Sequence, residues 1–574
     1  MAKNIYICSR KMPPSSMEER LYEICRNLAP DNITPSEPRV VVSGDIAYGI
    51  MNPTSTISEI GTSLLMGQIF NKDEKWSVPL QDFPDGSYAL FRNGKDYCEI
   101  VSDPVASRTI WYYNDENTLI ASTSQRAIVM FLGSFEFDER IIPWMLSTGT
   151  LGPVFTWDKR IKRIPADSSI ILDKNEWSIT TKSNPIEFNP VKRSDEQHEK
   201  VLTESLKTLF KSISIDWSKW VLPLSGGYDS RGILCLLLDA NSNNHYLKTI
   251  TWGLKSSMDV EGNDAVVARN LASKVNVSNK YYANDLSEEP IDKIINRFIL
   301  IGEGLIDNLS DYVDGFRMWK TIYEDGIEGI VRGDEAFGWR PVSSPLAVRI
   351  NDSCCLCSDF SNLKNYAKYG FSLQELPEHL HQKKGETLST WRDRVFQLYS
   401  QTVVQSALSD LKFSYVEQIN PLLSKKILQQ VRQLPDHLRN DRAIFRKIVK
   451  SISPEVDFST STSSTPPEEI LKKKQIADLL KNELSSDHAK TLFPVEFLDF
   501  VIKGIISKNQ METVNVNSFP TRSFIKKLTP KFLRDIIRNK IVLPSIDPNL
   551  LAFRVLLISK MNKTLTDDCL MSKT

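Results

Sequence analysis

Two short stretches carry the residue types that can hold a polyphosphate: Ser225-Gly226-Gly227-Tyr228-Asp229-Ser230 and Arg332-Gly333-Asp334-Glu335. Adjacent glycines let a backbone turn tightly and approach a ligand, and amides and hydroxyls around a helix start form an anion cradle. An aspartate inside such a cradle makes sense when a cation bridges it to phosphate, and Mg2+ is the hard, oxygen-seeking choice. No Gly-Lys-Ser/Thr follows the glycines, so the loop is not the lysine-bearing kind that grips β- and γ-phosphates.

Position decides whether such motifs work together. The apolar run Trp220-Val-Leu-Pro-Leu leads into the first motif, and the helical run Arg231-Gly-Ile-Leu-Cys-Leu-Leu-Leu follows it. A strand is expected over residues 247–253, a helix over 264–275 with Val267, Leu271 and Val275 on one face, a strand at Lys280-Tyr-Tyr-Ala and a helix over 291–301. A fourth strand, Ile327-Glu-Gly-Ile-Val, ends at the second motif. Strands alternating with helices predict a parallel sheet, whose ligands bind at the carboxyl ends of its strands.

Residues 1 to about 190 differ, with β-rich runs such as Gly86-Ser-Tyr-Ala-Leu-Phe and Ser168-Ser-Ile-Ile-Leu separated by turn signals. They predict an antiparallel β-rich domain, and the polar stretch Asn189 to Lys200 is the boundary candidate. The expected class is therefore α/β, with a β-rich sandwich domain over 1–195 and a parallel-sheet domain with helical additions over 196–574.

Lys plus Arg and Asp plus Glu both number 71 in the 574 residues, so bulk electrostatic binding to nucleic acid or an anionic membrane is not expected. Residues 441–574 nevertheless carry seven more basic than acidic side chains, including Lys472-Lys473-Lys474. The chain start lacks the order of a secretory signal and no apolar run nears about 18 residues, so a cytoplasmic protein without a membrane partner is expected. Eight cysteines are too sparse for a disulfide framework. Cys354, Cys355 and Cys357 lack a second metal-ligand pair, and His379 and His381 read as surface residues.

Ser-Gly-Gly-x-Asp-Ser resembles the pyrophosphate loop of the asparagine-synthetase superfamily, whose members adenylate a carboxylate and let an amine displace AMP. Thr251-Trp252-Gly253 is similar to that family's adenine-contacting segment. Gly333-Asp334-Glu335-Ala-Phe-Gly338 resembles its Gly-x-x-Asp-Glu-x-Phe-Gly element, Tyr415-Val-Glu417 its Val-Glu segment, and Asp441-Arg-Ala-Ile-Phe-Arg446 its Lys-x-x-Leu-Arg helix. The resemblance implies a Rossmann-like ATP-binding domain. ATP would meet Leu224, Ser225, Gly226, Gly227, Asp229, Ser230, Thr251, Trp252, Gly253 and Gly333, and Mg2+ would sit on Asp229 and Asp334.

Asp103-Pro-Val-Ala-Ser-Arg-Thr-Ile-Trp-Tyr-Tyr, Ala121-Ser122 and Ile161-Lys-Arg-Ile-Pro-Ala resemble the glutaminase (Ntn-type) domain of the same proteins. That chemistry needs a cysteine at the mature N-terminus. Position 2 is Ala2, and Cys8 lies inside an apolar run, so the resemblance implies a domain that no longer releases ammonia. Lasso-peptide cyclases and β-lactam synthetases resemble this layout, which implies a lactam or macrolactam cyclase whose substrate, such as a precursor peptide, carries both carboxylate and amine. An ammonia- or amine-dependent amidation of a sugar acid or amino acid, and a catalytically impaired ATP-binding regulator, are the alternatives. Two departures stand out. Val331 and Arg332 occupy the place of the relatives' base, leaving Glu335 and Glu417 as substitutes beside Asp334. Ser459 to Thr465 occupies the place of a transition-state lysine, leaving Arg332, Arg340 or Lys472.

Overall fold

The computed structural model describes residues 3–71, 73–240, 246–350, 356, 362–363, 366–372, 374, 376–463, 467–508 and 545–571. Ala2, Cys354, Cys355, Cys357 and Thr465 lie outside them.

Alternating apolar and turn-rich sequence builds the first half. Strands β1 (Asn4–Ser9), β2 (Arg39–Ser43), β3 (Ile46–Ile50), β4 (Ile57–Ile60), β5 (Ser63–Ile69), β6 (Gly86–Asn93), β7 (Tyr97–Ser102), β8 (Trp111–Asn114), β9 (Thr118–Ser122), β10 (Lys162–Arg163), β11 (Ser168–Asp173) and β12 (Ser178–Ser183) form two antiparallel sheets. Their orders are β10-β8-β9-β1-β3-β2 and β12-β11-β7-β6-β5-β4. The period of two explains the sandwich. Tyr6 and Cys8 of β1 join Phe91, Ile100 and Leu172 in the space between the sheets, while Ile5 and Ile7 face a second core shared with helices.

After the capped helix Asp195–Ser212, strands β13 (Trp220–Pro223), β14 (Lys248–Gly253), β15 (Ser278–Ala283), β16 (Gly329–Val331) and β17 (Glu417–Ile419) form a parallel sheet in the order β15-β14-β13-β16-β17. The chain starts in the middle, steps outward twice, then returns to the other side of β13. The crossovers leaving β13 and β16 therefore part in opposite directions, and a crevice opens at their carboxyl ends. The strands expected at 220–224, 247–253, 280–283 and 327–331 are all present, shifted by one or two residues. The segment feeding β17 runs from the helix Leu388–Val395 through a π-helical stretch, Phe396–Gln405, into the helix Ser406–Phe413.

Buried charges join the two halves. Lys3 pairs with Glu303 at 2.6 Å, both side chains nearly inaccessible. Glu303, at the end of the helix Ile291–Gly302, also accepts from the Ser124 hydroxyl at 2.5 Å and the Gln125 amide at 2.8 Å, so it caps the helix Gln125–Leu132. Arg126 reaches Asp568 of the helix Pro548–Met571 at 2.8 Å. Among the described residues no helix is long and apolar enough to cross a membrane.

Removing one partner of a buried pair strands the other without water. Glu303→Ala is expected to lower unfolding free energy by about 3–5 kcal/mol, measured by denaturant titration.

Candidate functional site

The first motif begins where β13 ends. Leu224 extends the ladder, its amide donating to Ile250 at 2.8 Å. The chain then turns into the helix Tyr228–Ala240, which puts Asp229 and Ser230 in its first turn. The Ser230 hydroxyl accepts from the Ser225 amide at 3.0 Å and lies 3.0 Å from the Ser225 hydroxyl. The Gly227 amide reaches Ser225 Oγ at 3.3 Å, and the Gly226 amide donates to Asp264 Oδ1 at 3.1 Å.

Neither glycine takes a positive φ, contrary to the simplest expectation for a tight turn. Gly226 is needed for close approach: a Cβ there would lie 2.4 Å from Ser459 Cβ. Gly333 has the same role between the motifs, since a Cβ on it would meet the Ser230 amide nitrogen at 3.2 Å and Asp229 Cβ at 3.4 Å. The two polar motifs, about a hundred residues apart in sequence, are therefore in backbone contact at the crevice.

Arg442 organises the carboxylates. It pairs with Asp229 at 3.1 Å and with Glu335 at 3.2 Å, its guanidinium 5.2 Å above the Trp339 ring. Asp441 and Arg442 both take left-handed backbone angles, φ 55° and 56°, where the chain kinks into the helix Ala443–Ile452. Burial, opposed by Arg442 and reinforced by Asp334, holds the Asp229 carboxyl above its usual range. Burial and the Asp229 charge push Glu335 up to about 8 against the pull of Arg442. The Phe337 amide bonds the Glu335 carboxylate at 2.5 Å, and Gln401 of the π-helical stretch holds its backbone carbonyl at 3.0 Å.

The structure sorts the remaining candidates. Arg332 stays in the site, bonded to Asp334 at 2.9 Å. Glu417 does not: it begins β17, away from the carboxyl edge, and takes two 2.7 Å contacts from buried Arg108 Nη2 of the sandwich half. Arg340 is exposed, and Lys472 is held by Glu469 and Asp547 near the C-terminal helix. Thr251 is buried, its hydroxyl donating to the Leu224 carbonyl at 2.7 Å and accepting from Asn279 at 3.1 Å. The Trp252 carbonyl accepts from Ser463 Oγ at 2.9 Å, and a Cβ on Gly253 would collide with that serine. Cys8 is buried, and His379 and His381 are exposed.

Arg442 was not among the residues expected to do chemistry. It stood inside the Asp441–Arg446 stretch, but only the kink directs it into the crevice. The Ser/Thr run also proves local: the Ser459 amide donates to Gly226 at 3.1 Å, Thr460 to Gly262 at 2.8 Å, and Leu254 to the Ser463 carbonyl at 2.9 Å.

The donor set suits Mg2+ arriving with a phosphate ligand. Among the described residues no group of three His, Cys, Asp or Glu side chains is placed to hold a metal. Asp229 and Asp334 form a pair of hard oxygen donors, and Mg2+ is commonly held by one or two carboxylates, with water and phosphate oxygens completing the shell.

The sequence matches no known family model and no curated protein. Among solved structures, glutamine phosphoribosylpyrophosphate amidotransferase from B. subtilis, complexed with ADP and GMP, is similar over 55% of this chain and 94% of its own. The identity is 8% and the TM-score 0.21, too slight a likeness to transfer fold or activity.

The raised Glu335 carboxyl has a measurable sign. Its folded value exceeds the usual carboxylate value, so the native state holds the extra proton and stability falls as pH rises from about 4.5 to about 8. In metal-free buffer, Glu335→Gln should gain on the wild type by roughly 3–5 kcal/mol across that window, read by denaturant titrations at pH 5 and 8. Parallel pH profiles would contradict the assignment.

Proposed function

We propose that the chain is an ATP- and Mg2+-dependent, AMP-forming carbon-nitrogen ligase that joins a carboxylate and an amine of its substrate, as a lactam or macrolactam cyclase. The observation that carries this reading is the meeting of the two motifs, with Gly333 set against the first turn of the Tyr228–Ala240 helix. Asp229 and Asp334 would hold Mg2+, which draws charge from phosphate oxygens when bound. Ser225, Gly227 and Ser230 would cradle pyrophosphate, and the Leu224 to Gly253 edge would take the nucleotide. Arg332 orients Asp334, and Arg442 neutralises the carboxylates that crowd the crevice.

A carboxylate and amine on one substrate react with the advantage of high effective concentration. In the glutaminase-like reading the antiparallel half serves as scaffold, and the buried Cys8 thiol inside β1 is not its nucleophile. In this reading the protein works in the cytoplasm on a small or peptide substrate, and its zero net charge gives it no bulk attraction to nucleic acid or an anionic membrane.

A second reading, a nucleotide-binding regulator without turnover, draws on the chain's own occupation of the cradle. Asp264 accepts the Gly226 amide, and Ser459 to Ser463 lie across Gly226 and Gly253.

Incubation with MgATP and panels of amino-carboxylate substrates, peptides included, separates the two. The ligase should yield AMP and pyrophosphate, and Asp229→Ala should cut the rate at least a hundredfold. ADP as product, or turnover indifferent to Asp229→Ala, would overturn the mechanism, and ATP binding without products would favour the regulator.

A further inference from the structure

Lys412 is a buried lysine that the roles above do not use. It lies near the end of the helix Ser406–Phe413 with 4% of its surface exposed. Its ammonium donates to the Leu408 carbonyl one turn back and sits 5.9 Å from the ring centroids of Tyr312 and of Trp319. Among the described residues no carboxylate forms an ion pair with it. An ammonium has three N–H donors, and only one has an assigned acceptor here. A buried charge left in this state is costly, and a methionine would fill the same space without that cost.

Its surroundings set its charge. Burial, the largest influence, and the Arg332 charge push its pKa well below that of an ordinary lysine, while Asp334, Asp311 and Asp410 pull it up, so an oxyanion arriving beside it favours the protonated form. Arg332 and Asp334 lie just past the carboxyl end of β16. Trp319 meets Trp252, near the carboxyl end of β14, edge to face at 5.6 Å. Lys412 therefore approaches the crevice from the helix that enters β17.

We propose that Lys412 is an oxyanion-binding residue of the crevice, donating its unused N–H groups to an oxygen of the ligand held beside Asp334. That oxygen belongs either to a substrate carboxylate or to a nucleotide phosphate. The proposal rests on this crevice being the ligand site, and not on which products form there.

The test is calorimetric titration of the full chain with two probes, magnesium pyrophosphate and succinate, on wild type and Lys412→Met, with thermal melting of both proteins. The expected result is a loss of about tenfold or more in affinity for one probe, in a variant that melts at or above the wild-type temperature. Loss with pyrophosphate assigns the lysine to phosphate, and loss with succinate assigns it to carboxylate. Wild-type affinity of the variant for both probes overturns the proposal, as does failure of the wild type to bind either. Should Lys412→Met not fold, Lys412→Gln takes its place, and failure of both to fold assigns the lysine to the fabric of the structure and overturns the proposal. If AMP formation is never found while probe binding still depends on Lys412, the ligase reading falls and the oxyanion site stands.

Discussion

The crevice is governed by like-charge crowding. The strand order brings Asp229, Asp334 and Glu335 to one sheet edge, where the Asp334 charge acts on Asp229 and the Asp229 charge on Glu335, and carboxylates so grouped in a partly dry site cannot all ionise without compensation. Arg442 and Arg332 supply that compensation, and the cost of placing Arg442 is visible in two consecutive non-glycine residues with positive φ. Such backbone strain costs about 1–3 kcal/mol per residue and persists only where the surroundings over-determine it. Here the stacked pair Phe337–Phe445, 4.1 Å apart, and the seat of Arg442 over Trp339 fix both sides of the kink.

The antiparallel half reaches this edge through buried polar contacts. Arg108, 3.9 Å from the Phe413 ring, holds Glu417 at the start of β17. The Ser87 hydroxyl accepts the Asn420 amide, and Asp85 receives the Lys425 amide at 2.7 Å at the start of the next helix. Each of these groups would be stranded without its partner, so β17, and with it the seat of β16, depends on the sandwich.

Much of this was legible in the sequence. Period-two alternation gave the sandwich strands, alternating strands and helices gave the parallel sheet, and the two glycine-containing polar motifs fell at strand ends as expected. Glu417 was put beside Asp334 through the resemblance of Tyr415-Val-Glu417 to a Val-Glu segment, and only the pairing of β17 with β16 shows that it begins its strand, away from the carboxyl edge. Arg442 was invisible because nothing in Asp441-Arg442-Ala443 announces a left-handed kink. Lys412 was missed because a lysine near a helix end normally reaches water, and its burial follows from Tyr312 and Trp319, a hundred residues away in sequence.

Local features were readable from the chain alone: which segments become strands or helices, where glycine permits close approach, and which residues carry charge beside a strand end. Those depend on side-chain period and backbone freedom within a few residues. Which charges meet depends on how the elements pack. Arg442 with Asp229, Arg108 with Glu417 and Lys3 with Glu303 are each joined across more than two hundred residues. Such pairing is set by strand order and by the requirement that buried charges find partners, and neither is a property of any short stretch of chain.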